Sequence, residues 1–302
     1  MYLMLTTYRG VLLGAAIGDA LGMPYETSPP SFRNLRRDFA RPNKMHPNSG
    51  LKPGSYTDDT QIALLASELL VSGNFKQENY AQALKNMFVE KRLRFPDGSV
   101  LSACRHMMKD EKEPGCNSTT SGCIPLAVPF ALAYPEDFKR NEQLAQACLV
   151  THTNRGAIAG AIWLATLIRS TINGENDPVK KAQKAAFLED ETLGMKIGDA
   201  LRYAADDTPF ESAIVMIGND VSVYQTVPLA VYIISKFGED DDILHYAAQA
   251  GGNTDTLGFI CGSWLGAEFG VSGLPEDLLL TLENREAIET MADRLYQRFG
   301  KD

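Results

Sequence analysis

The sequence predicts an all-α fold, and three observations carry that prediction. Apolar residues recur at helical spacing in several segments, and glycines recur at intervals of four in two of them. No run alternates apolar and polar residues as a half-buried strand would. We expect residues 1–302 to form a single domain, because no low-complexity segment, and no repeat beyond the two glycine-bearing segments, divides them.

The first predicted helix covers residues 11–22. This apolar segment faintly resembles the core of a secretory signal, but only Arg9 precedes it and Asp19 interrupts it, so a helix is favoured. No apolar run reaches the roughly 18 residues that a membrane span needs. We therefore expect a cytoplasmic protein with no membrane partner.

A second helix is predicted at 58–72, where an apolar face ends at Gly73. That face consists of Ile62, Leu65, Ala66 and Leu69. The later helical segments are 143–172 with a break at Thr-His-Thr-Asn, 224–237 ending at Gly238, 257–269 and 284–299. Pro228 is expected in the first turn of the helix at 224–237.

Loops are predicted between these helices. They fall at 27–56, 92–99, 109–122 and 173–178. The first is too long for a simple connection, so we expect either a flexible lid or a packed functional loop there.

Two glycine stripes distinguish the first helix and the helix at 257–269. They consist of Gly10, Gly14, Gly18 and Gly22, and of Gly258, Gly262, Gly266 and Gly270. Spacing of four places glycines along one side of a helix, where a neighbouring backbone can approach closely. A phosphate loop is not indicated, because the spacing is not G-x-G-x-x-G and no strand precedes it.

Composition excludes several classes of function. The net charge of −9 and the lack of a basic run argue against a nucleic-acid partner. The cysteines are Cys104, Cys116, Cys123, Cys148 and Cys261. Their odd number and the absence of a Cys-x-x-Cys pair favour reduced thiols over a disulfide framework or a zinc site. A Ser-His-Asp hydrolase is not supported, because no G-x-S-x-G elbow occurs.

Two polar segments carry the candidate chemistry, Tyr-Thr-Asp-Asp-Thr at 56–60 and Gly-Gly-Asn-Thr-Asp-Thr at 251–256. Each segment stands where a helix begins, so helix capping is one explanation of its polar residues. Carboxylate, amide and hydroxyl oxygens are also the ligands that Mg²⁺ and Mn²⁺ prefer. If Asp58, Asp59 and Asp255 converge, burying them together requires a cation. The residues alone leave both interpretations open.

Four segments, in order, resemble the ADP-ribosylglycohydrolase family, which includes dinitrogen reductase-activating glycohydrolases and ADP-ribosylarginine hydrolases. They are RGVLLGAAIGDALGMPYE at 9–26, YTDDTQIALLASELL at 56–70, THTNRGAIAGA at 151–161 and GGNTDTLGFICGSWLGA at 251–267. The resemblance covers about residues 8–270. It implies a compact, orthogonal all-α domain with a site for two Mg²⁺ or Mn²⁺ ions at its centre. The implied reaction is hydrolysis of the bond between C1″ of ADP-ribose and an acceptor.

The resemblance also implies a role for each matching residue. The implied metal ligands are Thr57, Asp58, Asp59, Asn253, Asp255 and Thr256, and the implied catalytic residues are Glu26, Asp58 and Asp255. The implied substrate-binding residues are Asp97, Gly98, Ser121, Gly122, Cys123 and His152. Backbone N–H groups of 121–123 would bind the diphosphate. His46, His106 and His245 receive no role.

The implied substrate is protein-bound ADP-ribosyl-arginine, and we expect a monomeric enzyme. The alternatives are an O-linked ADP-ribose, a nucleotide metabolite, or a non-catalytic ADP-ribose-binding relative such as a lens crystallin. The chain departs from the family in carrying Asn253 where relatives carry Asp, which we expect to weaken the second metal site. It also carries Ile124-Pro125 in place of a Met-Arg pair in the phosphate loop, which leaves substrate preference open.

Overall fold

A computed structural model of the chain describes residues 2–32 and 37–300. Within them the regular structure is helical, with two isolated β-bridges and no strand, which confirms the predicted fold class. The α-helices are α1 Tyr2–Gly22, α2 Asp58–Val71, α3 Gln77–Val89, α4 Gly98–Met108, α5 Ala127–Ala133, α6 Asp137–Cys148, α7 Arg155–Ile172, α8 Pro178–Glu189, α9 Glu191–Ala205, α10 Phe210–Ile217, α11 Val223–Phe237, α12 Ile243–Gln249, α13 Thr254–Phe269, α14 Glu276–Thr281 and α15 Arg285–Phe299.

The central helices α1 and α13 run antiparallel and pack through their glycine stripes. A Cβ added at Gly18 would lie 1.8 Å from the carbonyl oxygen of Gly258, and one at Gly14 would lie 2.1 Å from that of Gly262. No real contact is that short, so neither position has room for a methyl group. The prediction that the stripes bring backbones together is confirmed, and the structure adds that the two stripes face each other.

The remaining helices enclose this pair. Every residue of α13 from Thr254 to Ala267 is buried, because α1, α7, α11 and α12 surround the helix. A helix with small and apolar residues on all sides can be buried on all sides without stranding a polar group. The first turn of α13 is the exception, and its polar side chains belong to the candidate site.

The other predicted helices are confirmed, with one correction. Pro228 does not lie in the first turn of α11, because the helix already begins at Val223, where the Ser222 hydroxyl accepts the N–H of Tyr224. Pro228 therefore lies inside the helix and has no N–H to donate to the carbonyl of the preceding turn. The predicted loop at 92–99 also ends early, since Asp97 caps α4 and the helix begins at Gly98.

The long segment before α2 is packed in its described part, 37–56. Phe39, His46, Asn48 and Ser55 are buried there, and the N–H of Glu283 donates to the carbonyl of Gly54. Residues 33–36 of the predicted loop lie outside the described part of the chain. Of the two alternatives, these contacts support a packed loop.

Two predictions from composition also have a structural counterpart. All five cysteines are free thiols. Among the described residues, no helix has both the length and the apolar character required to cross a bilayer.

Candidate active site

The two polar segments meet where the C-terminal end of α1 approaches the N-terminal ends of α2 and α13. Asp58 and Asp59 form the first turn of α2, and Asp255 lies in the first turn of α13. All three carboxylates are at most 4% exposed. The positive ends of two helix dipoles offset part of the cost of burying negative charge.

Asp19, at the end of α1, holds the first segment in place. Its carboxylate accepts hydrogen bonds from the N–H and the hydroxyl of Thr57, at 2.9 Å, and from the N–H and the hydroxyl of Thr60, at 3.1 and 2.6 Å. Asp19 thereby caps α2 from another helix. Because it is completely buried, this carboxylate fixes where the Asp58 and Asp59 side chains begin.

A turn with two left-handed residues starts the second segment. Gly251 and Gly252 have φ values of 66° and 71°, and a Cβ at Gly252 would lie 1.9 Å from the carbonyl oxygen of Asn219. The N–H of Thr27 donates to the carbonyl of Gly252, and the N–H of Gly252 donates to that of Ser28. These bonds join the turn to the chain that follows α1 and place Glu26 beside the second segment.

The carboxylates are close enough to oppose one another's ionisation. Burial and the charges of Asp59 and Asp255 raise the pKa of Asp58 well above its usual value. Burial and the charges of Asp255 and Asp19 likewise raise the pKa of Asp59, an effect that a hydrogen bond from Thr256 partly offsets. Burial also raises the pKa of Asp255. Because the charge of Asp255 raises the pKa values of both Asp58 and Asp59, the two polar segments lie side by side.

Glu26 completes the acidic group. Burial, together with the charges of Asp255 and Asp59 and a hydrogen bond to Asp255, raises its pKa to about 10. Burial and the charge of Asp255 raise the pKa of Asp19 to about 7. The site therefore holds several carboxyl groups, and ionising all of them at once is unfavourable.

The capping interpretation of the two segments is not supported by the hydrogen bonds. Thr57 and Asn253 occupy the N-cap positions of α2 and α13, but neither side chain caps its helix. The Thr57 hydroxyl instead donates to Asp19. The polar residues are therefore available for another role.

Asn253, where the sequence resemblance implies an aspartate, makes local contacts that suit an amide. Its Nδ2 donates to the hydroxyls of Ser121, at 2.9 Å, and Thr226, at 3.1 Å. The Thr226 hydroxyl donates its own proton to the carbonyl of Asp220, so it can only accept from residue 253. An amide satisfies that requirement and a carboxylate does not. The Oδ1 atom of Asn253 accepts a hydrogen bond from the Thr256 hydroxyl, at 3.4 Å.

The donor set fits a divalent cation in its chemistry. Among the described residues, no three Asp, Glu, His or Cys side chains already stand in the geometry of a ligand set. However, the Oδ2 atom of Asp59 is buried without a hydrogen-bond partner within the described chain, as is the Oε2 atom of Glu26. A cation would satisfy such oxygens and remove the mutual repulsion that raises the carboxylate pKa values.

A second polar group, around Asp97 and His152, borders the site. His152 is fully buried, and its ring nitrogens contact the hydroxyls of Thr120 and Thr151, each at 2.9 Å. Its Nε2 lies 3.7 Å from the Oδ2 atom of Asp97. Burial alone would lower the pKa of His152, but the neighbouring Cys123 and Asp97 raise it to about 10. Burial alone would raise the pKa of Asp97, but His152 and Thr120 lower it to about 2.

The proposed phosphate-binding backbone requires a correction. The N–H of Gly122 donates to the Oδ2 atom of Asp97, at 3.0 Å, and the N–H of Ser121 donates to the carbonyl of Val221. In this structure both N–H groups are therefore used within the protein and are not offered to a diphosphate. Gly98 is the first residue of α4, next to the Asp97 carboxylate that binds this segment.

Two residues near the site were not singled out in the sequence. Asp19 appears in the sequence only as an interruption of an apolar segment, although a lone carboxylate on a buried helix face is itself a signal. His46 lies in a loop, and its Nε2 comes within 4.0 Å of the Oε2 atom of Glu26. No spacing rule connects residues 20 positions apart across a loop, so this proximity required the structure.

Comparisons with known proteins bear on the whole chain. The sequence profile described as ADP-ribosylglycohydrolase matches residues 4–302. An uncharacterized protein of Archaeoglobus fulgidus is 32% identical over 298 residues, which covers 96% of each chain. The protein named ADP-ribosylhydrolase ARH3 of Homo sapiens is 25% identical over 350 residues, covering 98% of this chain and 94% of its own.

A solved structure supports the fold. The chain described as an ADP-ribosylglycohydrolase-related protein complex superposes with a TM-score of 0.75 at 24% sequence identity, and 99% of both chains is covered. At that level of identity the similarity establishes the helical architecture. The arrangement of helices around α1 and α13 is therefore shared with a known fold.

Proposed function

We propose a function from one premise, that this chain belongs to the ADP-ribosylglycohydrolase family. The proposed reaction is hydrolysis of the bond that joins C1″ of ADP-ribose to an acceptor, with divalent cations held at the acidic site. The observation that carries the proposal is the convergence of Asp58, Asp59 and Asp255 with Glu26 in a buried site, where burial and neighbouring carboxylates raise the pKa values of Asp58 and Glu26.

Six side chains would hold the cations. They are Thr57, Asp58, Asp59, Asn253, Asp255 and Thr256, and all six supply oxygen, as Mg²⁺ and Mn²⁺ require. When bound, two such ions would neutralise the carboxylates and orient the ribose hydroxyls and a water molecule. Asp19 supports this set without being a ligand, because Thr57 and Thr60 occupy its oxygens.

Glu26, Asp58 and Asp255 are the proposed catalytic carboxylates. Breaking the bond to C1″ develops positive charge on the ribose, which nearby carboxylates stabilise. The water oxygen bonds to C1″ and one of its protons is transferred through Glu26 to the departing acceptor. Asp97, Gly98, Ser121, Gly122, Cys123 and His152 border the space that the rest of the ADP-ribose would occupy.

The identity of the acceptor, the group linked to ADP-ribose in the substrate, is a separate part of the proposal. Arginine is the acceptor that the sequence resemblance favours, and an O-linked acceptor such as serine is the alternative. The Ile124-Pro125 pair, which stands where the resemblance implies Met-Arg, lies in a buried turn and supplies no guanidinium group. A direct comparison of substrates is therefore needed.

The test is a release assay that runs three substrates in parallel. ADP-ribosyl-arginine, ADP-ribosyl-serine and O-acetyl-ADP-ribose are each incubated with the protein, with and without EDTA, and free ADP-ribose is measured. We expect release from at least one substrate, loss with EDTA, and recovery with added Mg²⁺ or Mn²⁺. Release that persists in EDTA would contradict the metal-dependent mechanism.

A matched pair of variants ties the activity to the site. Asp59→Asn removes the charge of a buried carboxylate and should lower turnover by at least about 100-fold, since catalytic electrostatic groups contribute on that scale. Asp293→Asn removes a carboxylate that pairs with Arg9 outside the site and should leave turnover unchanged. Equal activity of the two variants would contradict the assignment of the acidic group as the active site.

A further inference from the structure

His46 and Glu26 form an unusual buried pair beside the proposed catalytic group. The side chain of His46 is 2% exposed and that of Glu26 is 9% exposed. The Nε2 atom of His46 lies 4.0 Å from the Oε2 atom of Glu26. The two side chains thus face each other in the interior, just outside hydrogen-bond distance.

The tautomer of His46 follows from its other nitrogen. Nδ1 accepts the N–H of Asn48, at 3.0 Å, so it carries a lone pair and not a proton. Burial lowers the pKa of His46, an effect that the backbone of Glu26 partly offsets, and the ring is therefore neutral near pH 7. A neutral imidazole with a lone pair at Nδ1 carries its proton at Nε2. The proton is on the nitrogen that faces Glu26.

Neither atom of the pair has a partner at hydrogen-bond geometry in the described chain, although the backbone of Glu26 also lies near the imidazole. Nε2 of His46 and Oε2 of Glu26 are both buried without a hydrogen bond. A buried donor and a buried acceptor left unpaired each cost free energy, and nearly all such groups in folded proteins are paired. Since one is a donor and the other an acceptor, a movement of about 1 Å would satisfy both.

The loop around His46 fixes the direction from which the imidazole approaches. The N–H of His46 donates to the carbonyl of Asn43, and the N–H of Ser49 donates to the carbonyl of His46. The ring of Phe95 lies 6.1 Å from the imidazole centre on another side. The turns and the aromatic neighbour leave Glu26 as the polar group in front of Nε2.

We propose that His46 is a positioning residue for Glu26, one that donates its Nε2–H to Oε2 when substrate is bound. The hydrogen bond would hold the Glu26 carboxylate in one orientation for its part in the reaction. This inference rests on the proposed function, because it assigns His46 a part in orienting a group of the same site.

Two substitutions separate this role from a merely structural one. His46→Asn keeps an oxygen near the position of Nδ1 that can accept the N–H of Asn48, but it has no donor at the position of Nε2. His46→Gln reaches the position of Nε2 with an N–H donor and loses the acceptor near Asn48. A structural role predicts that Asn is the better replacement, whereas the positioning role predicts that Gln is.

The kinetic measurement compares kcat and KM of both variants with wild type on the substrate found active. We expect His46→Asn to lower kcat by tenfold or more with little change in KM, and His46→Gln to remain within about threefold of wild type. If His46→Asn retains wild-type kcat, or if both variants fall equally, the positioning role is wrong. A wild-type protein that is inactive on every substrate would instead overturn the proposed function.

A second measurement does not depend on activity or on the folding of a His46 variant. Nitrogen-15 NMR of the wild-type imidazole, with Mg²⁺ and ADP-ribose added, should show a slowly exchanging Nε2–H at His46. The protected signal should disappear in Glu26→Ala. A rapidly exchanging Nε2–H in the loaded wild type, or one that persists in Glu26→Ala, would overturn the proposed hydrogen bond.

Discussion

The glycine contact between α1 and α13 and the acidic site at one end of the same two helices are adjacent but opposite in character. Along the contact, backbone lies against backbone, and a single added methyl at Gly18 would come within 1.8 Å of a carbonyl oxygen. One turn further on, at Gly22 and Thr254, the contact gives way to Asp255 and Glu26. Burial raises the pKa of both carboxyl groups, and the charges of Asp255 and Asp59 raise that of Glu26 further.

The difference teaches how one helix pair can provide both rigidity and a place for a ligand. The glycine contact is complete as it stands, because dense packing leaves nothing to add. The acidic site is incomplete, because Oδ2 of Asp59 and Oε2 of Glu26 have no hydrogen-bond partner among the described residues and the carboxylate charges repel. We therefore expect an added atom in the glycine contact to lower the stability of the protein. At the acidic site, we expect pH and bound cations to change that stability.

The largest expected effect comes from adding one methyl group to the contact. Gly18→Ala places a Cβ against the backbone of Gly258, which cannot move aside as a flexible side chain could. We expect a loss of more than about 4 kcal/mol in the free energy of unfolding, or no soluble folded protein. Chemical denaturation followed by circular dichroism measures it.

Gly50→Ala is the control for that substitution, since a Cβ at Gly50 meets no atom within 4 Å. This variant should unfold at nearly the wild-type denaturant concentration. Should Gly18→Ala prove as stable as Gly50→Ala, the close approach of the two backbones would be disproved.

The next largest effect concerns the acidic site and is the dependence of stability on pH. The folded-state pKa values of Asp19, about 7, and Glu26, about 10, lie above those of the unfolded chain. Between about pH 4 and pH 7 the folded, metal-free protein keeps protons that the unfolded chain has released. Its stability should therefore fall as pH rises, by at least about 2 kcal/mol from pH 5 to pH 8.

Thermal unfolding in EDTA at pH 5 and pH 8 tests this expectation. Added Mg²⁺ should restore stability mainly at pH 8, because the ion binds ionised carboxylates and a higher pH favours their ionisation. Glu26→Gln supplies the matched variant, because removing one titrating group should flatten the pH dependence. A metal-free protein equally stable at both pH values would show that the carboxylates do not repel as the structure indicates.

The smallest expected effect sharpens the comparison by adding one charge to the site. Asn253→Asp introduces the carboxylate that the sequence resemblance implies at this position and should tighten the second ion by roughly threefold to tenfold. The gain is limited because the carboxylate cannot donate to Thr226, whose hydroxyl proton is bound to Asp220. Calorimetric titration with Mn²⁺ measures both affinities.

Asn173→Asp is the control, since it adds the same charge at an exposed position at the end of α7. It should leave both Mn²⁺ affinities unchanged. Equal affinity of wild type and Asn253→Asp for the second ion would contradict the predicted weakness of that site.

Much of the fold was predictable because it depends on local spacing. Glycines at intervals of four predicted the close helix contact, and the apolar face at 58–72 predicted α2, which spans Asp58–Val71. The placement of Pro228 in the first turn was wrong because Pro228 is the sixth residue of α11, which begins at Val223, and thus lies beyond the first turn. Which stripe faces which helix also lay beyond local pattern, since Gly18 and Gly258 are far apart in the chain.

The site was predictable as a set of residues but not as a geometry. The acidic and hydroxyl residues of the two segments stand out in the sequence, and the structure brings them together. The capture of the Gly122 N–H by Asp97 and the approach of His46 to Glu26 arise from tertiary contacts. Asp19 was overlooked because its sequence neighbours show it only as an interruption of an apolar helix. Its hydrogen bonds to Thr57 and Thr60 are tertiary contacts, which the sequence does not show.

The glycine contact also governs when the molecule can become active during its synthesis. Gly18 and Gly258 are more than two hundred positions apart, so α1 leaves the ribosome long before its partner exists. Until α13 emerges, the stripe of α1 has no backbone to pack against, and Asp58 and Asp59 have no Asp255 beside them. Such long-range pairing slows folding. Nascent chains should therefore acquire affinity for cations only after α13 has been released, with no active fragment before that point.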